Sequence, residues 1–208
     1  MTYIAHVFIG FGLSFIGSIP FGIINITVAD TAINKGLKAG LWVGFGAAIV
    51  EFFQSFIAVK FADVFLSNPS IDWYFNVIAT LIFFALAVYY LFFEKNKQPA
   101  VNATANAGQV HPFWKGILVS AVNVLVFPYW IFYSTYLSNQ GWLDMDLAHV
   151  LVFCVGISLG GMLVFFLFAK MGVYMLEKGP KLMRYINLCI GAIFLAFGLF
   201  QLYKLVGT

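Results

Sequence analysis

The chain has 208 residues, of which 62% are hydrophobic and only 9% are charged, and its mean hydropathy is +0.96. A soluble domain carries roughly a quarter charged residues, so this composition excludes a soluble protein and predicts an integral membrane protein. The net charge of +3 does not indicate nucleic-acid binding, because the basic residues lie between apolar runs, where membrane topology places them.

Six apolar segments follow one another along the chain. Segments 1 to 6 are Ile4–Ala29, Ala39–Val59, Trp73–Phe93, Phe113–Leu137, Leu147–Ala169 and Leu182–Tyr203. Each is long enough to cross a bilayer as a helix, the form in which a span satisfies its own backbone groups. The sequence therefore predicts an all-α integral membrane protein with six transmembrane helices. Segment 1 reads as a span and not as a cleaved signal peptide, since no basic residue or cleavage pattern accompanies it.

The longest polar stretch, residues 94–112, divides the segments into two sets of three. We predict a first three-helix repeat at 1–93, a cytoplasmic linker at 94–112 and a second three-helix repeat at 113–208. An odd number of spans in each half forces the halves to be inverted, which is a common transporter architecture. The first segment of each half carries an interior proline, Pro20 or Pro128, with Asn25 or Asn123 nearby, and we expect both of these helices to be broken.

The distribution of Lys and Arg predicts the orientation. Nine of the eleven basic residues lie in or beside the loops after segments 1, 3 and 5. Because basic loops stay in the cytoplasm, both termini are expected outside.

The sequence Gly17-Ser18-Ile19-Pro20-Phe21-Gly22 interrupts segment 1. Proline removes an amide donor and clashes with the preceding turn, while glycine gives the chain conformational freedom. A break there would expose helix-end groups, and a free helix N-terminus attracts carboxylates and other anions. A kinked packing helix is the structural alternative.

Glu51 is the only charged side chain near the middle of a segment, and Gln54 follows it on the same helix face. Ionisable groups at that depth usually mark ion or substrate paths, so Glu51 suits proton coupling or the binding of a substrate ammonium group. A structural carboxyl that bonds a neighbouring helix is the alternative. Segment 4 carries Ser120, Asn123 and Pro128, whose polar groups could bind substrate or tie helices together.

These residues resemble the LysE/RhtB family of amino-acid exporters. That family has a Pro-Gly-Pro motif in its first span, a basic glycine-containing turn, and a glycine-rich second helix that ends in Gly-Asp. The matching positions here are Pro20-Phe21-Gly22, then Lys35 to Gly40, then Gly46 and Glu51. The second half of the family often has a glycine and two asparagines, the second followed by Pro-Lys. This chain has Gly116, Ser120, Asn123 and then Val124-Leu125, so it departs at several positions and is identified as a divergent member. The resemblance implies a bacterial inner membrane protein and allows a homodimer.

We therefore expect a secondary transporter that exports amino acids or similar small zwitterionic solutes by alternating access, driven by protons or the membrane potential. The predicted substrate and ion site comprises Ser18, Pro20, Gly22, Asn25, Glu51, Gln54, Ser120, Asn123 and Pro128. No enzymatic activity, cofactor or resident metal is expected. No phosphate-binding loop of the ATPase type occurs.

Two other functions remain open. A metal-ion exporter needs a cluster of His, Cys, Asp or Glu within the spans, yet His6, His111 and His149 all lie near segment ends. A thiol-redox carrier needs a reactive cysteine pair, and Cys154 and Cys189 lie on segments 5 and 6, which makes this the weaker alternative.

Overall fold

The computed structural model describes residues 2–19, 22–66 and 110–172, with isolated positions between 77 and 92 and between 188 and 203. The elements in the three continuous ranges are all helices: α1 (Tyr3–Ser18), α2 (Ile23–Lys35), α3 (Leu37–Leu66), α4 (Pro112–Ala121), α5 (Val126–Asn139) and α6 (Leu147–Lys170). Most of segments 3 and 6, and residues 94–109 of the predicted linker, lie outside the described residues.

Segments 2 and 5 are continuous helices that are long and apolar enough to cross a membrane. The qualifying stretch of α3 has 28 residues and a hydropathy of 1.6, and that of α6 has 24 residues and a hydropathy of 2.6. The Asp146 carboxylate caps α6 by accepting the amide hydrogens of Ala148 and His149. A hydrogen bond from the His149 ring lowers the pKa of Asp146, which extends the ionised form of this cap to more acidic pH.

Segments 1 and 4 are each broken into two helices. The axes of α1 and α2 differ by 77°, and those of α4 and α5 by 67°. Each pair is apolar enough to count as one interrupted span, so the described residues contain up to four spans. The predicted interruptions are therefore present in both segments, and the protein is an integral membrane protein.

The break in segment 4 precedes Pro128 instead of lying at it. Pro128 is the third residue of α5, a position whose amide has no partner within the helix, so a proline is tolerated there. In segment 1, Gly22 is the N-cap of α2 with extended backbone, while Pro20 lies outside the described residues.

Glycines let α1 and α6 approach to backbone contact. A Cβ atom on Gly10 would lie 2.4 Å from the Phe153 carbonyl oxygen, and one on Gly156 would lie 2.2 Å from the Val7 carbonyl oxygen. Only glycine fits at such distances, and close backbone approach is a common way to join membrane helices.

The contact between α3 and α4 has the same construction. A Cβ atom on Gly116 would lie 2.0 Å from the Val43 carbonyl oxygen, and one on Gly46 would lie 2.2 Å from the Phe113 carbonyl oxygen. In each of the two interfaces, one glycine from each helix faces a carbonyl of the other.

Side-chain contacts define the two ends of the helix bundle. At one end, Lys60 of α3 donates to the Met145 carbonyl at 2.8 Å, and the Asp144 amide donates to the His6 ring at 3.1 Å. At the other end, Lys115 of α4 donates to the Thr31 hydroxyl of α2 at 3.2 Å. The start of α1, the end of α3 and the loop before α6 thus share one end, in agreement with the predicted alternation of loops. Which end faces the cytoplasm remains a prediction.

Candidate functional site

Glu51 lies on α3 in the interior of the protein, with 8% of its surface exposed. Its Oε2 atom has no hydrogen-bond partner among the described residues. This oxygen lies against α6, where a Cβ atom on Gly161 would come within 2.7 Å of it. The same Cβ position is 3.5 Å from the Ser14 hydroxyl of α1. The carboxyl is therefore enclosed by three helices and retains unused hydrogen-bonding capacity.

Gln54, one turn along α3, joins Glu51 to the interruption of segment 4. Its Nε2 atom donates to the Ser120 carbonyl at 3.2 Å, and this carbonyl also accepts the Asn123 amide hydrogen at 2.9 Å. The Ser120 hydroxyl donates to the Ala47 carbonyl of α3 at 3.3 Å. The Oε1 atom of Gln54 is buried without a partner in the described part of the chain. The last turn of α4 is thus fixed to the helix that carries Glu51.

Asn25 and Ser18 stabilise the interruption of segment 1. The Asn25 side chain, which is 3% exposed, donates to the Ser18 carbonyl at 2.7 Å. This bond satisfies one of the carbonyls that the end of α1 leaves without a helical partner. This bond supports a structural role for both residues at the break.

The helix N-termini at the two breaks differ from those of α4 and α6 at the bundle ends. The N-cap residues of α2 and α5, Gly22 and Leu125, provide no side-chain acceptor. By contrast, His111 accepts an amide hydrogen at the start of α4, and Asp146 does so at the start of α6. The helices that begin inside interrupted spans therefore present amide donors without a side-chain cap, an arrangement that favours an anionic group.

Tyr129, which the sequence analysis did not single out, connects the two interrupted segments. Its hydroxyl donates to the Leu13 carbonyl of α1 at 2.9 Å, and it packs so closely on Gly17 that a Cβ atom there would lie 2.5 Å from the hydroxyl oxygen. No pattern in the sequence marks this tyrosine among the many aromatic residues, because its partner is a backbone carbonyl in the other half.

A second buried carboxylate, Asp30 on α2, was also missed. It is as buried as Glu51, at 8% exposure. Its carboxylate accepts a hydrogen bond from Asn34 at 2.8 Å and lies 3.9 Å from the Lys115 ammonium. Asp30 lies toward the end of α2, so a buried carboxylate also occurs away from the middle of a segment. The spacing of Asp30 and Asn34, one helical turn, was the available signal, but a segment boundary drawn at Ala29 placed them in a loop.

The described residues contain one group that could hold a metal ion, and it does not lie at the interruptions. It consists of His6, Asp144 and His149, at the end of the bundle. A metal exporter would need such a cluster within the spans. Cys154 is buried in α6, and Cys189 lies outside the described residues.

Comparison with known sequences identifies the family of the chain. The sequence model of the LysE type translocator family matches residues 15–205, which is most of the chain. Searches of curated proteins and of solved structures each found no match.

Proposed function

Because the chain belongs to the LysE type translocator family and is therefore a transporter, we propose that it exports amino acids or similar small zwitterionic solutes by alternating access. The observation that carries this proposal is the buried Glu51 carboxyl, which has an oxygen without a partner among the described residues and lies beside the interrupted helices. A carboxyl in that position suits a substrate ammonium group or a coupling proton.

The glycine contacts support an inverted repeat. Positions 7 and 10, which face α6, correspond to positions 113 and 116, which face α3, and both are displaced by 106 residues. Positions 43 and 46 correspond to 153 and 156, both displaced by 110 residues. One contact pattern is thus repeated with the roles of the two halves exchanged, as a two-fold relation between segments 1–2 and 4–5 requires.

The displacement of 110 residues also relates position 51 to position 161. Glu51 and Gly161 contact each other, and the Ser158 hydroxyl donates to the carbonyl of its counterpart Ala48 at 3.3 Å. Residues that a two-fold rotation exchanges meet only next to the rotation axis. We infer that Glu51 lies at the axis between the repeats, where secondary transporters of this architecture bind substrate.

Different polar groups suit the two charges of a zwitterion. Glu51, with the Gln54 oxygen one turn away, provides the acceptors for an ammonium group. The uncapped amides at the start of α2 and α5 provide the donors for a carboxylate. This division favours a substrate with both charges, namely an amino acid, over a simple cation.

The ion pair between Asp30 and Lys115 is suited to close the transport path at one end of the bundle. They join α2 of the first half to α4 of the second at the end with Lys35 and Lys115, which the charge distribution predicts to be cytoplasmic. Rocking of the halves would separate this pair when the site opens toward that end.

The test compares amino acids in the medium of cells that express the wild type, Glu51→Gln or no protein. The matched control is Asp63→Asn, which makes the same change on α3 at a half-exposed carboxylate paired with Lys60 at 3.0 Å. We expect amino acids to accumulate in the medium of cells that express the wild type or Asp63→Asn. Cells that express Glu51→Gln should release no more than cells without the protein. Export at the wild-type rate by Glu51→Gln would refute the assigned mechanism, and no accumulation of any amino acid by the wild type would refute the substrate class.

A further inference from the structure

Three side chains with metal-binding atoms meet at the end of the bundle opposite Lys115. His6 lies in the first turn of α1, Asp144 in the loop after α5, and His149 in the first turn of α6. One ligand atom from each lies within 4.8 Å of the other two. The Asp144 Oδ2 atom is 3.7 Å from Nε2 of His6 and 4.0 Å from Nε2 of His149.

Hydrogen bonds at the Nδ1 atoms fix the orientation of both imidazole rings. Nδ1 of His6 bonds the Thr2 carbonyl at 3.0 Å, and Nδ1 of His149 bonds the Asp146 carboxylate. Tyr3 stacks on His149 with 4.2 Å between ring centroids. Histidines that bind metals almost always hold their other ring nitrogen in this way, on a carbonyl or carboxylate, which leaves Nε2 for the ion.

We propose that Nε2 of His6, Nε2 of His149 and the Asp144 carboxylate form a binding site for a transition-metal dication such as Zn²⁺. Two nitrogen ligands and one oxygen ligand are a common protein set for this ion, with a solvent molecule in the fourth position. Ligand atoms around tetrahedral Zn²⁺ are roughly 3.3 Å apart, so the present separations of 3.7 and 4.0 Å close by about half an ångström. Mg²⁺ is disfavoured because it selects oxygen ligands.

Binding requires a local rearrangement at His6. Nε2 of His6 accepts the Asp144 amide hydrogen at 3.1 Å, and the ion takes over the same lone pair. Asp144 and Met145 lie in the non-helical loop between α5 and α6, so this amide is able to turn toward water without breaking a helix. The Asp144 side chain is 45% exposed while the His6 side chain is fully buried, which gives the ion a route from solvent to the rings.

The proposed metal site differs from the proposed transport site in its location and in the effect that binding would have. It joins the start of α1 to the start of α6 and to the loop between α5 and α6. A bound ion would hold these elements together and raise the resistance of the protein to unfolding, whether or not amino acids are exported.

The experiment uses the purified full-length protein with a histidine-free affinity tag. Zn²⁺ binding is measured by calorimetry and by thermal unfolding, with Mg²⁺ as the comparison ion. The variants are His149→Gln, Asp144→Asn and Asp146→Asn, and the matched control is His111→Gln at the other end of the bundle. Asp146→Asn keeps an oxygen to cap α6 but removes the carboxylate that bonds the His149 ring.

We expect the wild type and His111→Gln to bind one equivalent of Zn²⁺ and to unfold at a higher temperature when Zn²⁺ is present. Mg²⁺ should have no effect on either protein. His149→Gln and Asp144→Asn should lose this binding, and Asp146→Asn should weaken it by roughly 10- to 100-fold. Absence of binding to the wild type, or unchanged affinity in His149→Gln, overturns the proposal. Amino-acid export by a variant that no longer binds Zn²⁺ leaves the proposed function standing, so the two proposals fail separately.

Discussion

Replacement of Gly161 by alanine tests whether the position of the Glu51 carboxyl controls transport. The added Cβ atom would lie 2.7 Å from Glu51 Oε2, whereas ordinary van der Waals contact begins at roughly 3.4 Å. The carboxyl must therefore move by about 0.7 Å. Because Oε2 is the end of a flexible side chain, this movement is compatible with folding, and alanine gains up to about 1 kcal/mol of helix propensity over glycine. We expect normal unfolding temperature and strongly reduced export.

Gly156→Ala is the matched control on the same helix. Its Cβ atom would lie 2.2 Å from the Val7 carbonyl oxygen, so the clash is with backbone and α1 must move away from α6. Overpacking of this kind costs about 1–3 kcal/mol. Thermal unfolding of the purified variants and export from loaded cells should thus separate the two substitutions, one harming transport and the other stability.

A second substitution tests whether displacement of the Glu51 carboxyl causes the loss of export in Gly161→Ala. Glu51→Asp shortens the side chain by one methylene and vacates the space that the alanine occupies. Its addition to Gly161→Ala should restore part of the export that Gly161→Ala loses. If Gly161→Ala exports at the wild-type rate, or if Glu51→Asp only lowers export further, the contact between positions 51 and 161 does not govern transport.

Three further predictions concern contacts of the interrupted segments. Asn25→Ala leaves the Ser18 carbonyl without its 2.7 Å partner and should lower the free energy of unfolding by about 1–3 kcal/mol, with unchanged stability arguing against the bridge. Asp30→Asn or Lys115→Met alone removes one charge of the pair and leaves the other without that opposite charge. The double variant should therefore unfold at a higher temperature than either single variant. Additive losses of stability would show that the two side chains are not coupled. Tyr129→Phe removes the hydroxyl bonded to α1 and should slow export in the loaded-cell assay more than it lowers the unfolding temperature, whereas wild-type export would exclude a transport role for this bond.

The sequence was sufficient for the features that follow from composition and local chemistry. The apolar segments predicted helices because a span must satisfy its own backbone, and the proline and glycine pattern predicted both interruptions. Glu51 and Gln54 lie buried on one face of α3, and the Gln54 side chain bonds the Ser120 carbonyl. That these residues form the transport site stays a prediction.

The contacts that the sequence could not provide join distant parts of the chain. Tyr129 bonds a carbonyl 116 positions away, and the His6 ring accepts the amide of Asp144, 138 positions away. Local patterns carry no information on such pairs. His6 and His149 lie near segment ends, and the sequence could not show that these ends of different segments converge at the same end of the bundle.

In the proposed inverted repeat, the difference between positions 51 and 161 explains how one carboxyl serves a site between the two halves. A two-fold relation would place an acidic residue of the second half directly against Glu51, and two carboxylates at such a distance cannot both ionise. Glycine at position 161 avoids that repulsion and leaves the space into which the single carboxyl projects. In this proposal the repeat provides the rotation axis, and the departure from the repeat provides a single acidic group at that axis for a substrate ammonium group or a proton to bind.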